Sequence, residues 1–73
     1  MKDHIRSMLD RCIQSMQQCV SVSDLAYSHG KHDGIALGAY PLELSNEELE
    51  EALEASKRVR KDCLVALVEK GWM

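Results

Sequence analysis

A seven-residue rhythm of small and apolar side chains runs from the amino end to Pro41 and leaves this chain few architectures. Ile5, Leu9, Cys12, Met16, Cys19, Ser23, Ala26, Gly30 and Leu37 step by alternating fours and threes, with Asp33 the seam position that carries charge. Ile13, Val20, Tyr27 and Gly34 widen the stripe on one flank. Apolar groups at this spacing share one face of a helix, so the pattern predicts a long amphipathic helix over residues 3–39 with a coiled-coil-like seam. Pro41, the chain's single proline, ends it by pushing the preceding residue towards extended geometry.

A second helix announces itself in "LELSNEELEEAL". Ser45 is the expected N-cap, Glu48 three residues on completes a capping box, and Leu44 and Leu49 stand where a hydrophobic staple would sit. Glutamates fill the first turns while Lys57, Arg58, Arg60 and Lys61 come in the second half, an order that complements the helix dipole. Leu49, Ala52, Leu53, Ser56, Val59, Cys63, Ala66 and Leu67 supply its buried stripe. Gly71 reads as the stop, with Trp72 placed to fold back over the last turn. The expected architecture is therefore all-α: one domain, residues 1–73, with a helix over 3–39, a turn over 40–45 and a helix over 46–70 forming an antiparallel hairpin.

The stretch "AYSHGKHDGIALGAYP" admits two readings. Ala26, Gly30, Gly34 and Gly38 recur every fourth residue, which on a helix forms a smooth line where another backbone can approach closely. Folded at Pro41, that line would fall opposite Ala52, Ala55 and Ser56. Alternatively the helix breaks or kinks around residues 30–34, and Gly30, Lys31, His32 and Gly34 form a polar loop able to cradle an anion. The four-residue period favours the helix. The segment has neither P-loop nor dinucleotide-fingerprint spacing, and no strand precedes it.

Length then argues for self-association. Seventy-three residues bury a marginal core, and the apolar content is aliphatic, with 4% aromatic residues and no Phe. A helix over 3–39 would extend about 55 Å, whereas one over 46–70 covers about 37 Å. The excess leaves Ile5, Met8, Leu9, Cys12, Ile13 and Met16 as an uncovered oligomer interface, met most simply by a homodimeric four-helix bundle.

Chemistry finds little to work with. His29, His32 and Asp33 lie at helical i, i+3 and i, i+4 spacing but match no metal signature, so the expectation is a solvated face without metal or cofactor. Cys12, Cys19 and Cys63 lie on apolar faces, have no CxxC partner, and fit reduced thiols in a cytoplasm. The charged amino-terminal dozen argues against a secretory signal, and no apolar run reaches membrane-spanning length. A net charge of −3 disfavours nucleic acid, although residues 57–61 offer a basic run. Tyr27, Lys31, His32, Tyr40 and Arg58 could instead surround a groove holding a nucleotide or other small anion. No nucleophile–base pair or acid pair can be assembled, so an enzyme is not expected.

In "MLDRCIQSMQQC", "YSHGKHDG" and "SNEELEEALEASKRVRK" the chain resembles, at the level of a class, the small helical accessory proteins of tailed phages and prophages. That resemblance implies a protein that binds and redirects a host or partner protein, or sequesters a host signal. The resulting expectation is a non-catalytic, homo-oligomeric helical protein that modulates a partner. Capture of a small anionic ligand is the alternative, and a nucleic-acid-associated role for residues 57–61 the third.

Overall fold

The computed structural model describes residues 1–71; the expected fold-back of Trp72 lies outside them. The described chain is helical with no strand, but it forms three helices: α1 (Asp3–Gln17), α2 (Val22–Ala39) and α3 (Asn46–Glu69). The single helix expected over residues 3–39 is thus divided at residues 18–21. The physical cause is a second cap. Ser21 is extended and its side chain accepts from the Asp24 backbone N–H at 3.2 Å, so α2 starts afresh. Upstream, the Cys19 thiol donates to the Ser15 carbonyl at 3.0 Å and helps close α1. Val20 and Val22 around the cap are weak helix formers that resist carrying α1 through.

The interruption reverses the chain. Lys2 N–H donates to the Glu43 carbonyl at 3.1 Å, which sets the start of α1 beside the α2–α3 turn. At that end Ile5 and Leu9 join Ala36, Ala39, Leu44, Leu49 and Ala52 in one buried cluster. At the other end Met16, Leu25 and Leu67 form a second, with Ile13, Val59 and Cys63 packed around it. The path is up, down, up: α1 and α3 run the same way and α2 returns between them. Overall extents are 41 × 17 × 15 Å.

This arrangement removes the premise of the expected oligomer interface. Ile5, Leu9, Cys12 and Met16 are buried within their own chain, Ile13 is half-buried, and Met8 alone of the six is exposed, at 41%. The stripe on α1 is present as its spacing predicts, but it is covered by α2 and α3 of the same chain. Each such aliphatic side chain contributes about 1.5–3 kcal/mol on burial, which a two-helix hairpin would have left unrealised.

Resetting the helix also rotates its seam. Extending the rhythm of α1 would bury Ala26, Gly30, Asp33 and Leu37, whereas α2 buries Leu25, Ser28, His32, Ala36 and Ala39. The shift is one residue, or about 100° around the axis. Ala36 and Ala39 therefore share the core with Ala52, and the expected close packing of Ala26, Gly30, Gly34 and Gly38 on α3 does not occur.

The third helix begins and ends as expected. Ser45 accepts from Glu48 N–H at 3.2 Å and the Glu48 carboxylate accepts from Ser45 N–H at 2.9 Å, the reciprocal capping box. Gly71, at φ +75°, donates to the Val68 carbonyl and takes the left-handed position that ends a helix. The Met1 amino group pairs with Glu48, and His4 Nε2 stands 2.6 Å from the Glu43 carboxylate, so the turn end is stitched to α1.

These caps can be tested one at a time. Replacing Ser21 by Ala should cost about 1 kcal/mol of stability, seen as a lowered thermal midpoint, because an orphan N–H at the start of α2 loses its acceptor. Glu48 is held down to about 2 from an ordinary 4.5, first by the Met1 amino group and then by the Ser45 N–H. The stability this supplies is full above pH 4.5 and lost as pH falls through about 2. Acid titration of helicity should show that loss, and Glu48→Gln should flatten it.

Candidate functional site

Two surfaces stand out once the helices are placed. The first is a cleft of about 220 Å³ between α1 and α2. Its apolar part comes from Met8 and Cys12 on α1 and Ile35 on α2. Arg11 and Lys31 bring cations to it from the two helices, and Ser15, Ser28 and Tyr27 bring hydroxyls. The antiparallel return of α2 creates it, since Met8, Arg11, Cys12 and Ser15 lie along one side of α1, while Tyr27, Ser28, Lys31 and Ile35 do the same on α2. Burial pushes the Cys12 thiol up, and the Lys31 charge nearby offsets part of that rise. Cys63 is also raised by burial, with Cys19 and Asp62 adding to it. Thiols in this state stay protonated near neutrality and are poor nucleophiles.

The second surface is the outward face of α2. Ser23, Ala26, Tyr27, Gly30, Gly34, Leu37 and Gly38 are all exposed, and the exposed charges of this helix, Asp24 and Lys31, sit at its flank. A Cβ added at Gly30, Gly34 or Gly38 would meet nothing within 4 Å. The glycine line is therefore helical, as its period indicates, but it borders open space. Tyr27 at 72% and Leu37 at 56% exposure flank it with apolar area.

Of the residues expected to surround a ligand groove, Tyr27 and Lys31 do share the α1–α2 cleft. His32 does not: it is 2% exposed and turned into the interior, because the one-residue shift of the seam makes position 32 a core position. Tyr40 lies exposed in the α2–α3 turn, and Arg58 lines a shallow surface on α3 with Lys57, Lys61 and Glu54. The glycines line none of it, since the cleft opens on the α1 side of α2. Arg11, Ser15, Ser28 and Ile35 are cleft residues that the sequence pattern does not single out. The signal that would have found them is Ser21-x-x-Asp24, which repeats the cap-and-acid pattern of Ser45-x-x-Glu48 and marks the reversal that brings α1 and α2 together.

The histidine cluster has an internal use. Asp33 Oδ1 accepts from Ser56 Oγ at 2.7 Å and lies 3.1 Å from His32 Nδ1, while its Oδ2 lies 3.2 Å from His29 Nε2. One half-buried carboxylate thus ties α2 to the buried Ser56 hydroxyl of α3. Among the described residues, no group of three or more His, Cys, Asp or Glu side chains is arranged to hold a metal ion. No described helix is long and apolar enough to cross a membrane.

Glycines with open space above them cost helix stability without packing in return. Alanine at positions 30, 34 and 38 together should stabilise the isolated chain by about 2–3 kcal/mol, raising the thermal midpoint by about 4–8 °C per kcal/mol. Thermal unfolding at low protein concentration reads this directly.

No family model, curated protein or solved structure matches the chain.

Proposed function

We propose that this protein is a non-catalytic association module whose working surface is the outward face of α2, and that its first partner is a second copy of itself. The observation that carries the reading is the pairing of exposure with smoothness: Ala26, Gly30, Gly34 and Gly38 face open space, with Tyr27 and Leu37 beside them. A surface helix ordinarily turns charge to water. This one turns backbone and methyl groups outward, and a helix laid along it could approach closely enough for extensive dispersion contact.

A second copy suits the face because its centre, Ala26, Gly30, Gly34 and Gly38, carries no charge, so pairing along that line leaves Asp24 and Lys31 at the rim rather than in the middle of the interface. The inert thiols and the fully engaged Asp33 carboxylate support a role without catalysis. Three free cysteines suit a reducing compartment such as a cytoplasm. In this reading a host or partner protein is engaged by the assembled dimer, through the surfaces that α1 and α3 leave outside.

Sedimentation or native mass spectrometry tests this directly. The expected species has twice the 8.2 kDa chain mass, and Gly34→Glu or Leu37→Glu should return it to a monomer with unchanged helicity. The triple alanine chain separates two effects, since it should be more stable as a monomer and weaker as a dimer. A single-chain mass persisting to roughly 100 µM, a dissociation constant weaker than about −5.5 kcal/mol of association, would overturn the reading.

A further inference from the structure

The α1–α2 cleft has features that self-association through α2 does not use. Arg11 and Lys31 converge on it from different helices, and neither has an ion-pair partner among the described residues. No carboxylate lines the cleft; Asp24 belongs to a neighbouring shallow hollow beside the 18–21 loop. Two cations meeting without a counter-charge repel each other, and a bound anion relieves that repulsion while gaining charge-assisted hydrogen bonds.

The rest of the lining limits what the anion can be. Met8, Cys12 and Ile35 supply the cleft's apolar floor, Cys12 buried, Ile35 half-buried and Met8 exposed. Inorganic phosphate would leave this floor wet and gain nothing from it. About 220 Å³ is smaller than the 300–1,000 Å³ of pockets for drug-sized ligands. It has room for about seven water-sized groups, given about 30 Å³ for each water displaced. The hydroxyls of Ser15 and Ser28 add donors along the wall, and the Tyr27 ring offers a face for an aromatic body.

We infer that the cleft between α1 and α2 is a binding site for a small amphipathic anion, a compact aryl or short alkyl group bearing one carboxylate or phosphate. The anionic head sits between Arg11 and Lys31, and the apolar body lies on Met8, Cys12 and Ile35. The glycines line none of the cleft and Tyr27 borders both surfaces, so the two activities are separated by substitution at Leu37 on one side and at Arg11 and Lys31 on the other.

The test is a titration of the full chain by ¹⁵N-edited NMR with benzoate, hexanoate, phenyl phosphate, inorganic phosphate and benzyl alcohol. Saturable shifts are expected for at least one of the first three, centred on residues 8, 11, 12, 28, 31 and 35. Benzoate or hexanoate responding alone assigns a carboxylate head, and phenyl phosphate alone a phosphate head. Inorganic phosphate and benzyl alcohol should each bind at least about tenfold more weakly. The Arg11→Gln/Lys31→Gln pair should weaken the anion about tenfold with circular dichroism unchanged, whereas Leu37→Glu, outside the cleft, should bind as the parent does. Three outcomes overturn the inference: no saturable shift with any organic anion, benzyl alcohol or inorganic phosphate matching the organic anions, or unchanged affinity in the double variant. Because Leu37→Glu is read in the same series, failure of the dimer and failure of the cleft give different results.

Discussion

The constraint on which this structure depends is that a short chain must cover its own apolar stripe. Ile5, Leu9, Cys12 and Met16 need a partner along the whole length of α1. A helix continuing to Pro41 would carry the cover away from them. A break at residues 18–21, with Ser21 capping the start of α2, brings Leu25, Ser28, His32, Ala36 and Ala39 back alongside. The break at residues 18–21, which the Ser21 cap marks, therefore separates a rod that must find company to stay dry from a bundle with its own core. The rest of the molecule, from the Asp33–Ser56 link to the cleft beside Lys31, depends on that reversal.

The same reversal explains which features are legible in the residues and which are not. α3 is legible at both ends, since Ser45, Glu48, the order of its charges and Gly71 are local signals that tertiary packing leaves undisturbed, and along most of its stripe, although Ala66, expected to be buried, is exposed. The stripe of α1 is legible because Ile, Leu and Met have a strong preference for burial. Beyond Met16 the rhythm passes to Cys19, Ser23, Ala26 and Gly30, residues that accept core or surface with little preference. A pattern built on such residues fits two registers one position apart, and the wrong one is as regular as the right one. The ligand-groove residues are obscured for the same reason. Tyr27 and Lys31 are exposed and line the α1–α2 cleft, whereas His32 changes from rim to core when the helix turns by one residue.

The glycines illustrate how a correct local inference can coexist with a mistaken global one. Their four-residue spacing does form a line on a continuous helix, and that helix tolerates them because Ser21 caps it and its inner face is anchored in both core clusters. Close approach between α2 and α3 is supplied instead by Ala36, Ala39 and Ala52. The side-chain-poor line is left on the outside, where it weakens the helix unless something lies against it. Helix stability and surface smoothness pull in opposite directions at positions 30, 34 and 38.

An odd number of antiparallel helices also fixes how the backbone enters and leaves. Residue 1 lies at the α2–α3 turn and residue 71 at the opposite end of a body 41 Å long. A hairpin would have returned both towards the same end. Joining two copies head to tail in one polypeptide would therefore take a connector of about twelve extended residues simply to run back along the bundle. Probes fixed at residues 1 and 71 would report the full length of the rod rather than a contact, making the molecule a natural spacer between whatever is attached at its two ends.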